Sequence, residues 1–220
     1  MKFSKNYVLY AIGEIFLVVV GILIALYINN QSELYKERKY EKVLLEKLKE
    51  ENLYNLEMLE DEYAYREKLP DLYEGFINYL LENEVNEITD SLEYFMSNTL
   101  RSSAYSFSKT NLINYINSQK NNFPEINKEA IYLENLQEDL VFLSKKAVDL
   151  KIDDYYKYLK NDFDFSNGDV YSTDAINSVG FRNNLNLIFS VESEITLKFN
   201  TTRDQMKKVD SLITTVVNDK

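Results

Sequence analysis

FRNNLNLIFSVESEITLKFNTTRDQMKKVDSLITTV, residues 181–216, decides the fold. Phe181, Leu185, Ile188, Glu192, Ile195, Phe199, Thr202, Met206, Val209, Ile213 and Val216 follow one another at strict four- and three-residue steps, and only Glu192 and Thr202 among them are polar. That rhythm holds one stripe of an α-helix against a partner, so a single helix is predicted over 180–217. Polar residues in such a seam set helix register or oligomer state, and Glu192 and Thr202 are read in that role. Lining a small polar cavity is their other reading.

The same rhythm recurs upstream. Leu133, Leu136, Leu140, Leu143, Ala147 and Leu150 alternate three- and four-residue steps after the break Asn121-Asn122-Phe123-Pro124, which predicts a helix over 125–163. A turn rich in Asp, Ser, Asn and Gly follows over 162–174. Further back, Leu45, Leu48, Leu56, Leu59 and Tyr63 share a face interrupted by Asn52, in a stretch without Gly or Pro, so a helix is expected over 29–69, stopping before Pro70. Residues 70–121 are less regular. They predict a short helix from Pro70 through Leu81, a second capped by Asp90 or Ser91, a loop over Ser102–Ser108 and a third short helix over 109–119. Two Pro and five Gly in 220 residues suit long helices.

Residues 7–28, YVLYAIGEIFLVVVGILIALYI, differ in kind. Glu14 is their single charge, and as a helix they reach about 33 Å, enough for a hydrocarbon core of about 30 Å. Tyr7, Tyr10 and Tyr27 stand at interfacial positions. A cleaved signal peptide would show a shorter apolar run and small residues at a cleavage site; here Asn29-Asn30-Gln31 follows instead. The expected fold is therefore all-α: a tail over 1–6, a transmembrane helix over 7–28, and an antiparallel up-down-up-down four-helix bundle with coiled-coil-like seams over 29–220. Lys2 and Lys5 favour a cytoplasmic N-terminus, Lys36, Arg38, Lys39 and Lys42 pull the other way, and the N-in arrangement is preferred, which places the bundle outside the cytoplasm, on the cytoplasmic (inner) membrane.

A carboxylate inside a bilayer normally faces protein or water. Ala11, Glu14, Val18, Gly21 and Ala25 share one helical face, and Gly21 with Ala25 forms a small-xxx-small pair that admits a second helix closely. This face is the candidate contact site, for a second copy of the chain or for another membrane protein, with lipid around the rest. Glu14 as a proton-carrying group of an ion-coupled complex, or as a carboxyl snorkelling towards the headgroups, are the rival readings.

YAIGEI at residues 10–15, LVVVGILIAL at residues 17–26 and Ile28-Asn29-Asn30 together resemble an uncharacterised family of bacterial single-pass membrane proteins. Its members carry a YAIGEI-type segment, an apolar run ending in INNW and then a charged helix. The likeness covers about residues 7–50 and returns faintly at 177–183. Gln31 stands where the family carries Trp, and Tyr27 where it carries Gln. The resemblance implies a topology and no activity.

Composition narrows function by exclusion. The chain has no His and no Cys, which leaves neither a His-based general base nor the usual ligands of zinc, haem or iron–sulfur centres. A net charge of -11 disfavours nucleic acid. Asp162, Asp164, Ser166, Asn167, Gly168 and Asp169 suggest a calcium loop, but Asn167 and Thr173 fall where such a loop needs Gly and Glu. Tyr155, Tyr156 and Tyr158 beside Lys157 and Lys160 are read as packing rather than a binding patch. No catalytic, cofactor-binding or metal-ligating residue is predicted. The expected role is a non-enzymatic scaffold or accessory subunit of a membrane complex. The alternatives are an extracytoplasmic ligand sensor signalling through a membrane partner and an ion-coupled subunit using Glu14.

Overall fold

The computed structural model describes residues 5–82, 85–101, 103–118, 122–164, 166–167 and 169–218, with backbone alone for 5–9, 11 and 12. The expected tail over 1–6 and the chain end at Lys220 lie largely outside them. Every regular element is helical: α1 (Lys5–Glu82), α2 (Asp90–Thr99), α3 (Thr110–Asn117), α4 (Pro124–Leu150), a π-turn (Lys151–Tyr155), α5 (Tyr156–Leu159) and α6 (Val179–Asn218). Among the described residues one isolated antiparallel bridge, Phe163 with Val170, is the only β pairing.

The chain leaves the apolar end along α1 and returns through α2, an extended run and α3. It rises again through α4, the π-turn and α5, and comes back along α6. α1 packs on α2, α3 and α6, and α4 packs on α3 and α6. At the far tip Asn177 clasps the backbone of Val85, donating to its carbonyl at 2.7 Å and accepting from its N–H at 3.2 Å. This is the expected up-down-up-down bundle, with its fourth leg made of two short helices and a connecting strand of irregular chain.

The first helix does not stop at Pro70. It runs for 78 residues, about 117 Å, and absorbs the short helix expected after the proline. Pro70 removes one hydrogen bond and crowds the carbonyl of Arg66, a cost of about 3 kcal/mol. Leu69, Tyr73, Phe76 and Leu80 are all buried on the same stripe, and each contributes about 1.5–3 kcal/mol. Packing outweighs the proline. The buried stripe passes through Leu45, Leu48, Asn52, Asn55, Leu59, Arg66 and Leu69, so Leu56 and Tyr63 stand at its edge and not in its centre as expected.

The third leg departs from expectation at its top. A helix over 125–163 becomes α4, a π-turn and α5, ending at Leu159. The buried positions Ala147, Lys151, Tyr155 and Leu159 come at successive four-residue steps. Each such step drifts about 40° around an α-helix. A turn with wider hydrogen bonding takes up the surplus and keeps these side chains on one face.

Polar residues in the α1 stripe hold the irregular leg in place. α3 has no capping side chain of its own at Lys109. Glu51 supplies the cap from α1: its carboxylate accepts from the N–H groups of Asn111 (3.0 Å) and Leu112 (2.9 Å) and from Ser108 Oγ (3.0 Å). Asn55 donates to Ser108 O at 2.7 Å and accepts from Ser108 N–H at 3.0 Å. Backbone donors in a half-buried chain must be matched, and α1 matches them. Glu51→Ala strands these donors and lowers stability by about 2–3 kcal/mol in urea unfolding. An unchanged midpoint contradicts that role. α2 is capped one residue before the expected positions: Thr89, and neither Asp90 nor Ser91, accepts the N–H of Leu92.

Candidate functional site

Two sites emerge, one expected and one not. The expected one is the face of Ala11, Glu14, Val18, Gly21 and Ala25. Ala11 contributes only backbone to the described structure. Glu14, Val18, Gly21 and Ala25 are all exposed on α1. A Cβ added at Gly21 meets nothing within 4 Å. Around that face Ile15, Phe16, Leu17, Ile22, Leu23, Ile24 and Leu26 are exposed as well. Among the described residues this is one helix long and apolar enough to cross a membrane, and none of its apolar window is buried. Water does not tolerate so large a continuous apolar surface on a monomer.

The second site lies between two apolar cores. The lower core gathers Leu45, Leu59, Leu133, Leu140, Ile195 and Phe199, and the upper one Leu69, Phe76, Leu92, Tyr155, Phe181 and Ile188. Arg66 of α1, Lys151 of the π-turn and Glu192 of α6 meet at the junction, at 2%, 0% and 3% exposure. Arg66 Nη1 donates to Glu192 Oε2, and Arg66 Nε donates to the Tyr105 hydroxyl at 2.7 Å. Lys151 Nζ donates to Glu192 Oε1 at 2.8 Å and to the Arg101 carbonyl at 2.6 Å. Aromatic faces complete the enclosure: Tyr105 and Tyr65 against the guanidinium at 5.3 and 5.9 Å, and Tyr73 against the ammonium at 5.8 Å. Every leg of the bundle thus contributes a residue.

Both cations sit at helix irregularities. Arg66 precedes Pro70 by four residues, so its carbonyl lacks the usual helical donor. Lys151 opens the π-turn. Burial pushes the Lys151 ammonium down from its ordinary range, and Glu192 opposes this. For Arg66 burial is the largest single influence and acts downward. Glu192 and Tyr105 together outweigh it and raise the guanidinium further. One carboxylate thus faces two enclosed cations, an arrangement that ties α1, the π-turn and α6 together at one level.

Burial also raises the neighbouring tyrosines: Tyr65 to about 12, with Glu192 adding to the effect, and Tyr73 and Tyr155 above their usual 10.0. Folded values above unfolded ones mean stability that is complete below pH 10 and lost as pH rises through the folded values. Base titration should therefore show exposed tyrosines ionising near pH 10, with the phenolate signal of the buried ones appearing only together with loss of helical circular dichroism. Ionisation of all eighteen in one smooth step before unfolding contradicts this.

Glu192 was legible as a polar break in the α6 seam; Arg66 and Lys151 were not, because cations read as surface. Thr202, the other polar seam residue, is buried with its hydroxyl donating to Lys198 O at 2.8 Å. In the 162–174 turn Asp164 accepts from the N–H and hydroxyl of Ser166 at 2.9 and 2.6 Å, and those bonds hold its carboxyl below the usual range. Tyr155 is buried and Tyr156 donates to Leu100 O at 2.8 Å, so both pack, while Tyr158 is partly exposed. No protein-family model, no curated protein and no solved structure matches the chain.

Proposed function

We propose that the chain is a single-pass membrane protein acting as a non-enzymatic scaffold or accessory subunit of a membrane complex. The observation that carries this reading is α1 itself: its exposed apolar stretch and the buried stripe of the bundle are one uninterrupted helix. Lipid covers most of the apolar surface. The face of Ala11, Glu14, Val18, Gly21 and Ala25 takes a second helix, from another copy or from a partner protein, where Glu14 finds a polar or basic neighbour. The N-terminus is cytoplasmic and the bundle stands outside, a placement supported by Lys2 and Lys5. The likeness of residues 7–50 to the bacterial single-pass family goes with this topology.

The test uses the full chain in bilayers, with association measured by energy transfer between labelled copies, or by co-purification with native partners after mild solubilisation. Gly21→Leu fills the approach face and should weaken association about tenfold. Association unchanged by Gly21→Leu and by Glu14→Leu removes the face from the proposal. Chain that washes off membranes in carbonate removes the anchor.

A further inference from the structure

The bundle ends, on the side of the apolar segment, in a groove of about 770 Å³. Arg38, Lys39 and Lys42 of α1 form its basic side. Tyr35, Phe123 and the Val216-Val217 pair near the end of α6 form its apolar side, with Asn122 between. The walls are well fixed. Lys49 Nζ donates to Thr214 Oγ1 at 2.8 Å and so sets the level at which α6 meets α1. Glu41, fully buried, accepts from the Asn122 side-chain amide at 2.7 Å and its N–H at 3.3 Å, which seats Asn122-Phe123 against α1. Arg38 and Lys39 are exposed and have no ion-pair partner among the described residues.

We propose that this groove receives the headgroup of an anionic phospholipid. The inference rests on the membrane reading above. Three observations select this occupant. The groove pairs a basic wall with an apolar one, the division that a phosphate and the less polar glycerol part beside it present. It lies at the foot of the bundle: Arg38 is about 15 Å along α1 from Ile28, and the headgroup layer covers roughly the first 5–8 Å of that distance. The rest is about one Debye length and within reach of a long basic side chain. Finally, the chain as a whole carries a net charge of -11, so an anionic bilayer repels the bundle. A basic collar at its foot reverses that force at one place and holds the bundle upright on the surface.

The experiment places the full chain in phosphatidylcholine nanodiscs, with a fluorophore on Asn218→Cys, which is the sole cysteine. Phosphatidylglycerol or phosphatidylcholine carrying a nitroxide high on one acyl chain is added at equal mole fraction. The glycerol lipid should quench several-fold more than the choline lipid, and raised salt should narrow the gap. Arg38→Ser and Lys39→Ser should each reduce the preference about fivefold. Equal quenching by the two lipids in a disc-embedded chain overturns lipid docking while leaving the anchor standing, as does a preference that survives the double substitution. A chain that never enters the discs overturns the membrane reading and this one with it.

Discussion

Glu192→Ala should destabilise the bundle by about 3–5 kcal/mol in chemical denaturation. The substitution removes the one carboxylate that Arg66 and Lys151 share and leaves two enclosed cations facing each other. Coulomb attraction to Glu192 opposes their desolvation; without it only neutral partners remain, the Tyr105 hydroxyl for Arg66 and the Arg101 carbonyl for Lys151. An apolar replacement of the whole set, Arg66→Met with Lys151→Met and Glu192→Leu, removes the desolvation cost together with the attraction. It should recover most of the loss or exceed the wild type. The three substitutions of that set are thus strongly non-additive. The pH dependence has a definite sign. Lys151 titrates below its ordinary 10.5 when folded, so its adverse share of stability is felt at lower pH and relieved as pH rises towards 10.5. Losing Glu192 removes the influence that opposes burial, so the Glu192→Ala deficit should shrink from neutral pH towards pH 10. A deficit below about 1 kcal/mol, or one that grows with pH over that range, contradicts the electrostatic account.

Phe76→Ala should cost about 3–5 kcal/mol as well, but its consequences should be confined to one half of the molecule. Phe76 is fully buried, stacked on Phe95 at 5.2 Å and edge-on to Phe181 at 6.2 Å. All three belong with the upper core, separated from the lower one by the charged junction. Polar contacts at that junction couple register more than they share apolar surface. Amide exchange in the variant should therefore accelerate in α2, α5 and the first turns of α6, while α3, the lower part of α4 and the end of α6 stay protected. Phe199→Ala, in the lower core, should invert the pattern. Uniform acceleration in both variants denies that the bundle is two cooperative units.

Most of the architecture could be read because most of it obeys a short rhythm. Every seam position of α6 from Phe181 to Ile213 is buried, Glu192 and Thr202 included. The errors share a cause. Pro70 reads locally as a stop, yet the buried side chains after it come from packing against α2 and α6, which lie far along the chain. Glu51 and Asn55 carry no local sequence mark of a distant partner, yet they serve Ser108, Asn111 and Leu112 on another leg. The π-turn has no local sequence mark; only the run of four-residue steps through Lys151 and Tyr155 betrays it, and the alternating count had ended at Leu150. Glu14, Val18, Gly21 and Ala25 stay exposed because no other described part of the chain packs on that segment.

The length of α1 has a consequence for the order in which this protein is made. Its polar stripe residues wait for partners encoded much later: Asn52 for the Met206 carbonyl, Arg66 for Glu192, Lys49 for Thr214. At ribosomal speeds of about 5–20 residues per second, roughly six to thirty seconds pass between the two members of such a pair. Meanwhile the apolar stretch near the N-terminus has already left the exit tunnel. Settlement of that stretch therefore precedes closure of the bundle, and α6, made after α1 and α4, is the helix that closes on both of them.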